Sequence, residues 1–297
     1  EEIPISKGHY QSHLPPKTQN QHINSVMTVT KTNTMSTVHR QAYTDYIILR
    51  IFNAKGELRE EVRFIGLFTS DAYESEPSSI PRIREKVKTV LAKANFQEDP
   101  HNKKKLMHII RTLPRDELFQ ADDQELFSYA MGILALQEKQ EVRLFARKDH
   151  FDRFISCVVL IPRDNFTTTL LGTIEQKLCD AFNGTDITSH PSFSEAQHAQ
   201  IYCVIRIGKR RKIKLDKLPV LEEQLNEMCK SWSDSLKEHL NETFGDERSR
   251  VLFRRYRRAF SAGYCDKNDA RIATYDIDHL ENLFKDKTLS IGLYGAM

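Results

Sequence analysis

Val142-Arg143-Leu144-Phe145-Ala146-Arg147, followed by Phe154-Ile155-Ser156-Cys157-Val158-Val159-Leu160-Ile161, decides how this chain folds. Both runs are dense in β-branched and aromatic residues and too short for stable helices. They read as two strands joined by a turn around Asp149-His150-Phe151-Asp152. C-terminal to them, residues 166–182 place Leu170, Leu171, Ile174, Leu178 and Ala181 at helical spacing, with Gly184 expected at the C′ position. Residues 187–193 and 200–207 are strand-like again. Residues 218–244 then read as one long helix with Leu221, Leu225, Met228, Trp232, Leu236 and Leu240 on a single stripe. Strand, strand, helix, strand, strand, helix with short links implies an antiparallel sheet covered by helices on one side.

Upstream, residues 26–32, 43–52 and 61–69 form a strand meander. The turn between its second and third strands is Asn53-Ala54-Lys55-Gly56, a hairpin signal, and charged Arg59, Glu60, Glu61 and Arg63 put one face or edge of it in water. Between meander and sandwich lie three helices. The first is capped by Ser79 with Pro81 in its first turn. The second carries Leu106, Ile109, Ile110 and Leu113. The third opens at Asp122 with Glu125 as its capping-box partner. A further helix covers 246–263, and 289–294 is the possible start of another strand. The class is therefore α/β in the broad sense (α+β), with small antiparallel sheets covered by helices.

The 297 residues suit about two domains. Lys and Arg total 44 against 41 Asp and Glu, and a net charge of +3 exerts no global pull on nucleic acid or an anionic membrane. The longest apolar run, 155–161, is far below the ~20 residues of a membrane span. Five scattered cysteines without a C-x-x-C pair argue against a disulfide framework or zinc site and fit a reducing cytosol. The acidic start Glu1-Glu2-Ile3-Pro4 carries no signal-peptide pattern and no initiator Met, so the chain reads as a segment of something longer.

No catalytic motif is present. The glycines form neither G-x-G-x-x-G nor a P-loop, so no glycine-rich turn cradles a nucleotide phosphate. His9 and His13 have helical spacing but sit in the Pro-broken lead-in, where ligand geometry would not be held. His39-Arg40 beside Asp45 reads as a surface ion pair or hydrogen-bonded turn in preference to a ligand-binding corner. Arg115-Asp116-Glu117 and Arg163-Asp164 read as helix caps and domain-bridging arginines in preference to acid–base pairs. Arg147, Lys148, Asp149 and Arg153 flank a strand turn that suits a fixed loop salt bridge or an anionic or amino-acid effector. Two basic clusters, 209–214 and Arg254-Arg255-Tyr256-Arg257-Arg258, read as solvated or interdomain faces, because acidic neighbours balance them. The arginines of the second cluster should divide between two helix faces, with Tyr256 and Phe260 turned toward apolar neighbours, and Trp232 should lie in the core between helix and sheet.

Several stretches together resemble the N-terminal, non-catalytic half of the large bacterial NAD-specific glutamate dehydrogenases. They are Ser36-Thr37-Val38-His39-Arg40 with Tyr43 and Asp45; Arg63-Phe64-Ile65-Gly66-Leu67-Phe68-Thr69-Ser70; and Pro114-Arg115-Asp116-Glu117-Leu118-Phe119-Gln120. Further matches are 142–149 through 153–157, Ile161-Pro162-Arg163-Asp164, Ser192-Phe193-Ser194-Glu195, and Trp232 with Asp234 and Leu236. The resemblance implies a polar lead-in at 1–25, a PAS-like meander at 26–75, a helical linker region at 76–140 and an ACT-like domain at 141–216. A helical motif at 217–264 and the start of a following module at 265–297 complete it.

The strand order departs from the usual βαββαβ of ACT domains, which puts ordinary amino-acid binding in doubt. The resemblance implies a regulatory and assembly segment with no catalytic, cofactor-binding or metal residues of its own, NAD belonging to the parent enzyme. Partners would be other domains and subunits of a cytoplasmic homo-oligomer, with a small-molecule effector possible and neither nucleic acid nor membrane. Residues that would make effector or interdomain contacts are His39, Arg40, Arg147, Asp149, Arg153, Arg254 and Arg258. A stand-alone amino-acid sensor is the alternative, and a nucleic-acid-binding module a more distant one.

Overall fold

The computed structural model describes residues 25–37, 41–96, 99–136, 139–194, 197–208, 215–265 and 267–286. The lead-in with His9 and His13, the His39-Arg40 pair, the basic run 209–214 and the strand expected at 289–294 lie outside them.

The meander is an antiparallel sheet of β1 (Met27–Met35), β2 (Tyr43–Phe52) and β3 (Leu58–Gly66) in sequential order. Asn53 organises the hairpin. Its side-chain oxygen accepts from the backbone N–H of Lys55 and Glu57, and Gly56 takes φ 78°, a value that suits a residue without Cβ. Helices α1 (Ser70–Glu74), α2 (Pro81–Ala94), α3 (Pro100–Thr112), α4 (Arg115–Gln120) and α5 (Asp123–Leu136) follow. Helices α2–α5 pack around Ile83, Val90, Leu106, Ile110, Leu118 and Leu126. The capping box of α5 forms as expected, with Asp122 and Glu125 exchanging side-chain to backbone bonds. Ser79 does not cap α2. It closes a 3-10 turn onto Glu76, and Pro81 starts the helix behind Ile80.

The second sheet has the order β4-β5-β7-β6, all antiparallel, from β4 (Arg143–Lys148), β5 (Phe154–Pro162), β6 (Gly184–Phe193) and β7 (His198–Ile207). Helices α6 (Thr168–Phe182) and α7 (Leu218–Cys229) cover one face through Ile174, Leu178, Leu221 and Leu225. Asn183, not Gly184, takes the left-handed position that ends α6, at φ 53°. Gly184 is needed for a different reason: a Cβ there would lie 2.5 Å from Ile205 Cγ2, where helix end and strand touch.

Coverage on one side only is corrected by the structure. Every residue of β5 is buried, because the helical unit α2–α5 and β1 close over the second face. The unbroken apolar run 155–161 is the pattern a strand buried on both faces requires.

The helix expected over 218–244 is broken. α7 stops at Cys229, and Ser231 begins α8 (Trp232–Tyr256) with a capping box to Asp234. Gly245, at φ 75° and ψ 167°, kinks α8. After α9 (Ala262–Cys265), helix α10 (Ala270–Asp286) folds back on α8. The two share a core of Leu236, Leu240, Leu252, Tyr256, Ala273 and Ile277. Trp232 therefore sits among helices, against Phe260 and Tyr264, and not between helix and sheet.

Candidate functional site

Two features gather the charged residues of this chain: a buried ionic junction where the meander, the helical unit and the second sheet meet, and an open cleft beside α8.

At the centre of the junction, Glu117 in the first turn of α4 faces Arg147 near the end of β4. Arg147 Nε donates to Oε2 and Nη2 to Oε1, both at 2.9 Å, and Nη2 also reaches Gln120 at 3.1 Å. The Tyr202 hydroxyl of β7 donates to Glu117 at 3.3 Å. Burial alone would push the Glu117 carboxyl up, but the Arg147 guanidinium outweighs it and holds the carboxyl below its ordinary value. A carboxylate fixed by a bidentate guanidinium and shut off from solvent is a structural anion with no access for general-base work.

Two further contacts tie β1 into the same junction. Lys31 Nζ lies 2.6 Å from Asp45 of β2 and 3.1 Å from Asp116 of α4, and Tyr73 of α1 donates to Asp116 at 3.1 Å. Burial opposes the Lys31 charge, yet Asp116 and Asp45 together drive its pKa up. One residue earlier on β1, Thr30 donates to Asp149 Oδ1 at 2.5 Å and accepts from Arg153 Nη2 at 3.0 Å. Asp149 also receives Arg153 Nε at 2.7 Å and the backbone N–H groups of Phe151 and Arg153. Here burial pushes the Asp149 carboxyl up, and the Arg153 bonds more than offset that and lower it. Arg206 of β7 completes the seam, stacked 3.4 Å over the Tyr43 ring and bonded to Asn33 of β1.

Arg147, Asp149 and Arg153 thus converge on the junction. Asp45 binds Lys31 and accepts from the backbone N–H of Phe68; His39 and Arg40, expected beside it, lie outside the described residues. Arg115, Asp116 and Glu117 serve three separate contacts, Arg115 holding the carbonyls of Tyr73 and Ser75. Lys31, Tyr73, Thr30 and Tyr202 were not marked by sequence. The signal for Lys31 was its place inside a β-branched strand, where a charge must find a partner or an edge.

Arg254, on α8, and Arg258, two residues past its end, are both exposed and take no part in the junction contacts. Arg254 lines a cleft of about 810 Å³ between α8, α7 and the end of β5, whereas Arg258 does not. Arg255 pairs with Glu281 of α10, and Tyr256 is buried beside it with its hydroxyl on the same carboxylate. The basic cluster is divided between faces, as the helical period requires.

The two buried thiols of the second sheet are not poised as nucleophiles. Cys157 and Cys203 face each other across β5 and β7, and burial raises both thiols, Cys203 to about 12, leaving no thiolate at neutral pH. Among the described residues no group of His, Cys, Asp and Glu is arranged to hold a metal ion, and no helix is long and apolar enough to cross a membrane.

Comparison with known proteins accounts for most of the chain. Residues 80–139 match the family described as glutamate dehydrogenase, helical motif 1; residues 143–233 match its ACT2 domain; residues 239–283 match its helical motif 2. The NAD-specific glutamate dehydrogenase of Halomonas elongata is 36% identical over 269 residues, 91% of this chain and 17% of that protein. The one from Pseudomonas aeruginosa is 34% identical over 259 residues, 87% of this chain and 16% of its own length. For Mycobacterium tuberculosis the figures are 34% over 148 residues, 50% and 9%. The resemblance read from the sequence is borne out: the chain is homologous to an ACT and helical-motif segment of larger multidomain proteins. It spans at most about a sixth of the curated relatives it matches.

Proposed function

We propose that this chain is a non-catalytic regulatory and assembly segment of an NAD-specific glutamate dehydrogenase. The parent reaction would be oxidative deamination of L-glutamate to 2-oxoglutarate and ammonia with NAD. The observation that carries the reading is the unbroken order of helical motif 1, ACT2 domain and helical motif 2 along one chain, matched across 91% of its length by a protein of that name. The junction supports it physically. Charges placed in pairs away from solvent hold three units in one arrangement, which suits a part that transmits position and not one that turns over substrate.

On this reading NAD and glutamate bind elsewhere in the parent enzyme. The segment divides into a PAS-like meander at 26–75, a helical linker at 76–140, an ACT-like domain at 141–216, a helical motif at 217–264 and a following module from 265. Arg147, Asp149 and Arg153 act as contacts between these units. His39, Arg40, Arg254 and Arg258 are left for neighbouring domains, other subunits of a cytoplasmic homo-oligomer, or a small-molecule effector. The purified chain should not reduce NAD with L-glutamate, whereas the parent protein should. Deleting the segment from the parent should alter its assembly or its response to metabolites. Glutamate-dependent NAD reduction by this chain alone would overturn the reading.

A further inference from the structure

We propose that the cleft between α7, α8 and the end of β5 is a binding site for a phosphorylated small molecule carrying at least two anionic groups on a polar body, of the nucleoside diphosphate or triphosphate kind. Beyond the kink at Gly245, Arg250, Arg254 and Arg257 follow one another at i, i+4 and i+7, so all three lie on one helix face, and all three line the cleft. Other arginines of this helix are engaged: Arg248 stacks on Phe244, and Arg255 pairs with Glu281. The cleft row has no carboxylate within ion-pair distance among the described residues, and neither does Lys237 on the kink's other side.

The carboxylates nearby do not neutralise that row. Asp234 is committed to the Ser231 cap, and Glu238 to Lys230 at 2.6 Å. Asp234, whose cap bonds to neutral Ser231 groups leave its charge intact, and Asp246 are left against the four cations Lys237, Arg250, Arg254 and Arg257, so the row keeps a positive excess. The row extends over about 10 Å at the helical rise per residue, too long for one carboxylate or a single phosphate but matched to linked phosphates. Guanidinium forks bind phosphate oxygens bidentately, and three on one face supply the repeat that a di- or triphosphate offers.

Across the cleft stand neutral amides, Gln140 and Asn165, with Asn241 and the part-buried Phe253 nearby. Asn165 already donates to the Cys229 carbonyl, and Asn241 accepts from Ser249. The amide oxygen of Asn165, the amide nitrogen of Asn241, Gln140 and the edge of Phe253 are therefore what they offer to the uncharged part of such a molecule. A volume of about 810 Å³ lies within the roughly 300–1,000 Å³ of small-molecule sites, and the position between two packed units is where such sites concentrate. The inference deepens the regulatory reading above, but it is tested by binding alone, so its failure leaves the dehydrogenase assignment standing.

The test is calorimetric titration of the 297-residue chain with ATP, ADP, inorganic pyrophosphate and adenosine at two salt concentrations. The expected result is saturable one-to-one binding of ATP and ADP, competition by pyrophosphate, no binding of adenosine, and weakening at higher salt. R254E/R257E should weaken binding at least about tenfold, the milder R254Q should weaken it less, and R258E, which lies outside the cleft, should leave it unchanged. Circular dichroism confirms that each variant is folded. Absence of ATP and pyrophosphate binding at millimolar concentration, or equal binding by R254E/R257E, overturns the site. So does a change in the mass of the parent assembly on R254E/R257E without nucleotide binding by the wild type, since the row would then be a docking face for an acidic protein segment.

Discussion

Glu117 and Arg147 meet through two parallel hydrogen bonds of 2.9 Å, with the carboxylate fully buried and the guanidinium side chain 2% exposed. One residue comes from the helical unit and the other from the second sheet. The pair is thus a bond between units whose charges both had to leave water. Removing one partner leaves the other charge uncompensated, a situation that costs about 3–5 kcal/mol, while replacing both with apolar residues of similar volume is close to neutral. Glu117→Leu and Arg147→Met should each lower stability by about that much, and the double variant by clearly less than either. Urea denaturation of the four proteins gives the coupling energy. Additive losses would mean that the two charges do not depend on each other.

Acid should loosen the same junction. The folded chain holds the Glu117 and Asp149 carboxyls below their ordinary values of 4.5 and 3.8. Below those values the unfolded chain binds more protons than the folded one, so stability falls as pH drops. The contribution is complete above about pH 5 and is lost progressively as pH falls through the folded values. Denaturation midpoints measured from pH 7 to pH 3 should decline, and Glu117→Gln should flatten part of the decline. A midpoint independent of pH in that window would show that neither carboxylate is held ionised.

Much of this was legible from residues alone. The meander, the ββαββα order, the α5 capping box and the division of the 254–258 arginines all follow from local periodicity and turn chemistry. The boundary at Gly245 was read between the helices expected at 218–244 and 246–263, but the break at Lys230 was less visible, because the apolar stripe from Leu221 to Leu240 passes through it without losing phase. Only the Ser231–Asp234 capping pattern marked it. Coverage of both sheet faces was encoded in the apolar run 155–161, which length alone does not separate from one-sided burial. The partner of Arg147 was out of reach: Glu117 is 30 residues away, and nothing in a charge pattern says which of many carboxylates a strand arginine will meet.

Trp232 tests the helical core. Its indole Nε1 donates to the carbonyl of Asn268 at 2.9 Å, and its ring packs edge-on against Phe260 at 5.2 Å. Trp232→Ala removes a large part-buried ring and orphans that carbonyl, for a loss of about 3 kcal/mol. Trp232→Phe keeps most of the packing and loses only the hydrogen bond, about 1 kcal/mol. Chemical denaturation followed by circular dichroism separates them. Equal losses would assign the whole effect to the hydrogen bond, and a loss under about 0.5 kcal/mol for Ala would place the ring outside the cooperative core.

Thr30 and Asp149 offer the cleanest separation of the meander from the second sheet. The Thr30 hydroxyl is both donor to Asp149 and acceptor from Arg153, so it is the link through which β1 joins a turn that Asp149 already organises by itself. Thr30→Val keeps the shape and breaks only the link, at about 1–2 kcal/mol, because it leaves bonding positions on Asp149 and Arg153 unmet. Asp149→Asn also strips the charge from the Arg153 pair and weakens the turn, so it should cost more, about 2–3 kcal/mol. The two variants should differ in where they loosen the molecule as well as in how much. Hydrogen exchange in Thr30→Val should accelerate in β1 and β2 while β5 and β7 stay protected. In Asp149→Asn it should also accelerate between Lys148 and Phe154. Uniform acceleration in both variants would mean that the meander and the second sheet open as one unit, and that the Thr30 link transmits nothing separable.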